Sequence, residues 1–258
     1  MDKNYPWEQS VVIALRDSQW TARPSLASPM YPDSYVALDG KPETKFGDSI
    51  FLNDEKLFLF EVKATEKQIS DEWTKLDEDK KPKPKNAYLR LSEHLRVSGS
   101  VGEYVHDSIS GHFFCYWSEH EVGGEVLGSL TAEPYLTAIA RRSLRGIAEL
   151  NSAASDIIKR YKMGLPISRL RESETGFETV DSISILHLIT GFAVILESLK
   201  NGGFYEWGNL GMTPSEFDKY LSFLSGGEDE LIRAVVLSSR GSFFRYVERT
   251  SELNSIPD

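Results

Sequence analysis

The stretch Phe46-Gly47-Asp48-Ser49-Ile50-Phe51-Leu52-Asn53-Asp54-Glu55-Lys56-Leu57-Phe58-Leu59-Phe60-Glu61-Val62-Lys63-Ala64 holds two apolar runs separated by a polar tetrapeptide. That pattern is a hairpin signal. With Asp54-Glu55 as the two central turn residues, Asn53 faces Lys56, Leu52 faces Leu57, and Asp48 falls opposite Glu61. Directly paired residues of an antiparallel ladder project from one face, as do residues two apart on a strand, so Asp48, Glu61 and Lys63 converge. Like charges facing each other destabilise a sheet, and a divalent cation removes that conflict. Mg²⁺ takes carboxylate and water oxygens and keeps positions open for phosphate and an attacking water. Asp48 and Glu61 are therefore the expected ligands of Mg²⁺ or Mn²⁺. Lys63 is placed to orient or help deprotonate the water and to stabilise charge in phosphodiester hydrolysis.

Working outward, Trp7, Val11, Ala14 and Leu15 at helical spacing predict a helix from Trp7 to Trp20, ended by Arg23-Pro24. Strand-like runs follow at 34–38, 48–52 and 57–62. A helix is expected from about Thr65, carrying Ile69, Trp73 and Leu76. Lys80-Lys81-Pro82-Lys83-Pro84-Lys85 reads as an extended loop, because its prolines exclude helix interior. A short helix at 87–97 and a buried strand at His112-Phe113-Phe114-Cys115-Tyr116-Trp117 complete an order of helix, three strands, helix, strand.

This arrangement resembles the PD-(D/E)xK nuclease superfamily, in which an acid on the second strand and an acid-x-lysine on the third hold the metal. Asp48 matches the first acid, Glu61 the second and Lys63 the lysine. The resemblance covers roughly residues 1–120 and implies, for a domain at 1–128, a restriction-endonuclease-like αβββαβ core acting on nucleic acid, DNA ranked above RNA. It implies a further catalytic glutamate on the first helix, for which Glu8 is the candidate, with Gln68 assisting. Gly47 stands where many members carry proline; the literal Pro32-Asp33 lies too far upstream to pair with Glu61. The tripeptide alone carries little information: 39 acids and 15 lysines in 258 residues supply about two by chance, and Asp39, Glu43, Asp54, Glu61, Glu78 and Asp79 each start one. Only Glu61 follows four consecutive apolar strand formers and has an acid at the matching hairpin position.

Glycines 123, 124 and 128 suggest a boundary, with 129–258 expected as an α-helical domain and the whole as α+β. Apolar residues at helix period from Leu136 to Tyr161 predict one long helix, and the apolar run Ile183–Leu199 a central buried one with His187 in the core. Thr213-Pro214-Ser215-Glu216 is a capping-box start for a helix through Leu224, and short helices are expected at 229–238 and 242–251. Cys115, the single cysteine, excludes an internal disulfide and reads as a small buried hydrophobe.

The start of the chain lacks the basic and apolar parts of a signal peptide, and no run reaches about eighteen uninterrupted apolar residues, so the expectation is a cytoplasmic protein with no membrane contact. The net charge of −10 argues against nucleic acid only as a sum. Eight basic residues against two acids at 141–171, and six against one at 80–96, form two basic segments suited to a phosphate backbone. Restriction or phage defence fits a compact nuclease of this kind. The alternative is a non-catalytic nuclease-like module, a subunit of a larger defence or repair complex, docking a protein partner through its helical half.

Overall fold

Hairpin pairing puts the acids together. The computed structural model describes residues 6–22, 35–38, 47–53, 56–77, 79–167, 176–199, 203–227, 231–237, 244–249 and 252. In it β2 (Ser49–Asn53) and β3 (Lys56–Thr65) run antiparallel, with Asn53 opposite Lys56, Leu52 opposite Leu57 and Ser49 opposite Phe60. This is the register expected from the sequence. Just before the strand, the Asp48 N–H donates to the Phe60 carbonyl at 2.7 Å, which carries Asp48 alongside Glu61. The turn residues Asp54-Glu55, and Pro32-Asp33, lie outside the described residues. Gly47 has a packing reason: a Cβ there would sit 2.9 Å from the Phe60 carbonyl oxygen, so the close approach that seats Asp48 leaves no room for a proline ring.

β1 (Tyr35–Ala37) pairs antiparallel with β2, and β4 (His112–Val122) lies parallel to β3, with Glu61 opposite Phe114 and Lys63 opposite Tyr116. A parallel pair needs a crossover. Residues 66–111 supply it through a 3₁₀ turn (Glu66–Ser70), α2 (Asp71–Thr74), α3 (Asn86–Ser98) and α4 (Glu103–Gly111). The helix expected from Thr65 is thus broken. Thr65 and Gln68 close a capping box on the 3₁₀ turn, and Lys75 turns extended so that Leu76 bridges to Pro82. Ile69 is buried as expected, whereas Leu76 is exposed and Glu72 takes the interior position.

α1 (Glu8–Ala22) packs on β3 through Val11, Leu15 and Gln19, one helical face at i, i+4, i+8. Trp7, expected on that face, is instead 81% exposed. The sheet core is aromatic: Phe58, Phe60 and Phe113 are buried with ring centroids 6.2–6.4 Å apart. Each such side chain stabilises the fold by roughly 1.5–3 kcal/mol relative to exposure.

The second half departs from the helical expectation. The boundary placed at 128/129 falls inside β5 (Glu125–Pro134), which pairs residue for residue with β4 from Val122–Glu125 to Phe113–Pro134. Gly123 and Gly124, both at positive φ, are the tip of that hairpin and not a linker. β8 (Ile183–Ser184) adds to β5, giving a six-stranded sheet ordered β1-β2-β3-β4-β5-β8. The expected helix from Leu136 to Tyr161 is two, α5 (Tyr135–Arg142) and α6 (Asn151–Arg160), joined by a 3₁₀ turn at Leu144–Gly146. Leu136, Ala140, Leu144, Leu150 and Ala154 are nevertheless all buried, so the apolar period marked burial while Ser143 and Gly146 broke the helix.

Ile183–Leu199 divides into β8, the single-turn α7 (Ile185–Ile189) and β9 (Val194–Ser198), because Gly191 at φ +69° ends the helix before the β-branched Val194-Ile195. A continuous apolar run serves a buried strand as well as a buried helix. His187 is exposed, not a core residue. β10 (Phe204–Asn209), β9, β6 (Tyr161–Ile167) and β7 (Gly176–Val180) form a second, antiparallel sheet in that order. The expected helices at 229–238 and 242–251 are β11 (Leu231–Leu237) and β12 (Phe244–Arg249), paired antiparallel. α8 (Pro214–Ser225) begins with the expected capping box: Thr213 Oγ1 accepts from the Glu216 N–H and Glu216 accepts from the Thr213 N–H. The protein is thus α+β throughout, and no helix among the described residues is long and apolar enough to cross a membrane.

Candidate active site

Alternation along β3 turns Glu61 and Lys63 to one face, and the loop before β2 adds Asp48. Asp48 Oδ2 accepts the Val62 N–H, which fixes its carboxylate at the strand edge. Two residues that the sequence pattern did not single out complete the cluster. Glu72 on α2 is wholly buried, with Oε1 3.0 Å from Lys63 Nζ. Lys85, the last residue of the Lys/Pro run, donates from Nζ to Glu61 Oε2 at 2.7 Å and stands 3.7 Å from Asp48 Oδ1 and 3.9 Å from Glu72 Oε1. Lys63 Nζ lies 3.5 Å from the same Glu61 oxygen. Three carboxylates thus share two ammoniums.

Glu61 Oε1 is buried and has no hydrogen-bond partner among the described residues. Burial, then the Glu72 charge, push the Glu61 carboxyl well above its ordinary range despite Lys85 and Lys63. Burial alone would lower both lysines; the Glu61 carboxylate, joined by Glu72 and Asp48, more than offsets it, so each holds its proton more tightly than a free lysine. Lys63 is therefore an ammonium here, suited to orienting a water and neutralising charge, not to taking a proton.

Behind the cluster lies a buried aromatic layer. Tyr135 donates to Glu72 Oε2 at 2.9 Å, and its ring stacks on His112 with centroids 4.1 Å apart and planes 10° apart. His112 Nδ1 and Tyr220 Oη are 2.9 Å apart, while Nε2 has no partner among the described residues. Burial, helped by the Lys85 charge, pushes His112 down to about 3, so the ring is neutral. Cys115 is buried and its thiol is pushed up to about 12 by burial, in keeping with a packing role.

Glu8 stands at the solvent-facing rim, at the first turn of α1. Partial burial raises its carboxyl, and the charges of Lys63, Asp48 and Lys85 act on it. Gln68 is engaged structurally, accepting the Thr65 N–H at 3.1 Å. Glu8, Gln68, Trp7, Ala64, Thr65 and Lys67 line an open cleft of about 530 Å³ beside the cluster.

Among the described residues, no group of three or more His, Cys, Asp or Glu side chains is spaced to hold a metal ion. The donor chemistry is that of a two-carboxylate site: Asp48 and Glu61 flank one cation contact, and Glu61 Oε1 lacks a donor. Mg²⁺ is often held by one or two carboxylates while it keeps several waters, so the residues fit such an ion.

Of the expected basic patch at 141–171, Arg141, Arg142, Arg160 and Lys162 are neutralised by acids of the fold. Arg141 binds Glu133 and Asp181, Arg142 bridges Glu133 at 2.7 Å and Glu66 at 2.6 Å, Arg160 meets Glu197 at 2.5 Å, and Lys162 meets Asp181 at 2.7 Å. Arg145 and Lys159 are exposed, and Arg169 and Arg171 lie outside the described residues. Within 80–96, Lys85 belongs to the site and Arg96 pairs with Glu93 at 3.2 Å. In comparisons with protein-family models, curated proteins and solved structures, nothing matches this chain.

Proposed function

We propose that the protein is a metal-dependent nuclease that hydrolyses phosphodiester bonds of nucleic acid, built on a PD-(D/E)xK-like core. The observation that carries this reading is the convergence of Asp48 and Glu61 on one cation position, with Lys63 alongside, on a hairpin whose third strand pairs in parallel with the fourth. Asp48 and Glu61 would hold Mg²⁺ or Mn²⁺, which when bound supplies Lewis acidity and a more acidic water. Lys63, held by Glu72, orients the water and offsets the charge that builds on the phosphorus oxygens. Glu8 at the rim adds a polar contact for the incoming water. In the cleft, the Trp7 indole offers a stacking surface for a base and Lys67 a cation for a phosphate.

Labelled single- and double-stranded DNA and RNA, incubated with Mg²⁺ or Mn²⁺, test this directly. Wild-type protein cleaves at least one substrate, and Glu61→Gln or Lys63→Met abolishes cleavage while circular dichroism is unchanged. Absence of cleavage of every substrate at high protein concentration, with and without candidate partner proteins, refutes the enzyme.

One observation favours a second reading, a non-catalytic nuclease-like interaction module. Lys85 already neutralises the acid pair from within, as a structural ion cluster would. Such a module binds no divalent cation at Asp48, so Mn²⁺ calorimetry on wild type and Asp48→Ala separates the two.

A further inference from the structure

Lys85 contacts each of the three buried or half-buried carboxylates, at 2.7 Å to Glu61, 3.7 Å to Asp48 and 3.9 Å to Glu72, and so stands at the position a shared cation takes. Its neighbour Lys63 is committed elsewhere, 3.0 Å from Glu72. The two ammoniums also differ in their access to solvent: the Lys85 side chain is 13% exposed and the Lys63 side chain 6%. Lys85 enters from the end of the Lys/Pro loop, where its backbone N–H is pinned to the Glu72 carbonyl at 2.8 Å. Four flexible methylenes separate that anchor from Nζ, so the ammonium can leave without moving the backbone.

We propose that Lys85 is the resident, exchangeable counter-ion of the Asp48–Glu61 pair, which a divalent cation displaces on binding. The proposal rests on the reading of Asp48 and Glu61 as cation ligands. Charge balance favours the exchange. When all three carboxyls are ionised, Asp48, Glu61 and Glu72 carry one negative charge more than the two ammoniums offset; a divalent cation replacing one ammonium makes the ionised cluster neutral. The displaced ammonium stays tethered at the mouth of the site, where it can meet a phosphate oxygen. Lys85 is then a phosphate-binding residue of the metal-loaded form and a competitor of metal in the free form.

Mn²⁺ alone, titrated calorimetrically into the full chain, is the probe. Removing a competing charge-assisted contact of this kind is worth at least tenfold in affinity. Lys85→Met therefore binds Mn²⁺ at least tenfold more tightly than wild type, while Lys81→Met, the same charge change on the exposed part of the same loop, shifts affinity less than twofold. Equal or weaker binding by Lys85→Met overturns the exchange and leaves the metal site standing. Absence of Mn²⁺ binding in both proteins overturns the exchange and the metal reading together. A second measurement needs no variant at Lys85. Acetylation of lysines with an N-hydroxysuccinimide ester, read by peptide mass spectrometry, modifies Lys85 slowly in metal-free wild type and several-fold faster at saturating Mn²⁺, an increase lost in Glu61→Gln. Unchanged labelling of Lys85 at saturating Mn²⁺ overturns the proposal.

Discussion

His112 offers a quantitative test of the interior behind the site. The ring is wholly buried, stacked on Tyr135 and hydrogen-bonded through Nδ1 to Tyr220, and burial pushes its pKa down to about 3 from 6.5. A base whose folded pKa is depressed takes up a proton in the unfolded chain that the folded chain refuses. Its contribution is therefore complete above pH 6.5 and lost as pH falls from 6.5 toward 3. The slope approaches about 1.4 kcal/mol per pH unit, and between pH 7.5 and 5 the loss amounts to about 2 kcal/mol. For a chain of this length that is roughly 4–8 °C in Tm. His112→Phe keeps the stacked ring and removes the titration; the lost Tyr220 contact costs a roughly constant amount across that range. Urea unfolding of both proteins at several pH values checks the difference in slope. Wild type loses about 2 kcal/mol more than His112→Phe from pH 7.5 to 5. Parallel pH profiles would falsify the assignment of a buried neutral imidazole.

Three further outcomes follow from particular contacts. Tyr135→Phe leaves Glu72 Oε2 buried without its donor and costs about 1–3 kcal/mol in urea unfolding, where an effect below about 0.5 kcal/mol means that water replaces the hydroxyl. Iodoacetamide at pH 8 does not modify Cys115 in the folded protein and does so in denaturant, as mass spectrometry reports; rapid native labelling contradicts the burial of the thiol. Gly128→Ala sets a Cβ 1.6 Å from the Trp117 ring, so the indole must move, at about 1–3 kcal/mol and with altered tryptophan emission; an unchanged spectrum speaks against that packing.

The hairpin was legible because its signals agree: two apolar runs, a polar turn, and acids at positions that only one register brings together. β4 was legible for a similar reason, since Phe113 to Tyr116 is too short and too aromatic for a helix. Glu72 and Lys85 were hidden by their settings. Glu72 sits between Asp71 and Trp73 in a stretch whose apolar spacing suggests that a carboxylate there faces water, yet the helix breaks after one turn and α2 presents it inward. Lys85 is chemically indistinguishable from Lys80, Lys81 and Lys83 in sequence; only the bridge between Leu76 and Pro82 shows where the loop ends. The second half misled because Ile183 to Leu199, and Leu231 to Leu237, are apolar runs without a period that separates strand from helix. At Gly191, and at Ser143 with Gly146, local breakers outweighed the apolar pattern, which still marked burial from Leu136 to Ala154 but not at Leu186, His187 and Phe192.

Arg142 has a consequence for the order in which this chain becomes competent during synthesis. It joins Glu133 on β5 to Glu66, three residues beyond Lys63, while Tyr135 secures Glu72, Asn86 Nδ2 donates to the Leu224 carbonyl, and Met212 bridges Leu57. The acids and lysines of the cluster all leave the ribosome within the first 85 residues, but the groups that lock them arrive much later, the last of them at Leu224. A nascent chain stopped near residue 128 leaves the β4 edge from Phe113 to Ser118 without its partners on β5. Truncation products that stop there lack Tyr135, Arg142 and Leu224, so the cluster of Asp48, Glu61, Lys63, Glu72 and Lys85 is made but not yet held in place.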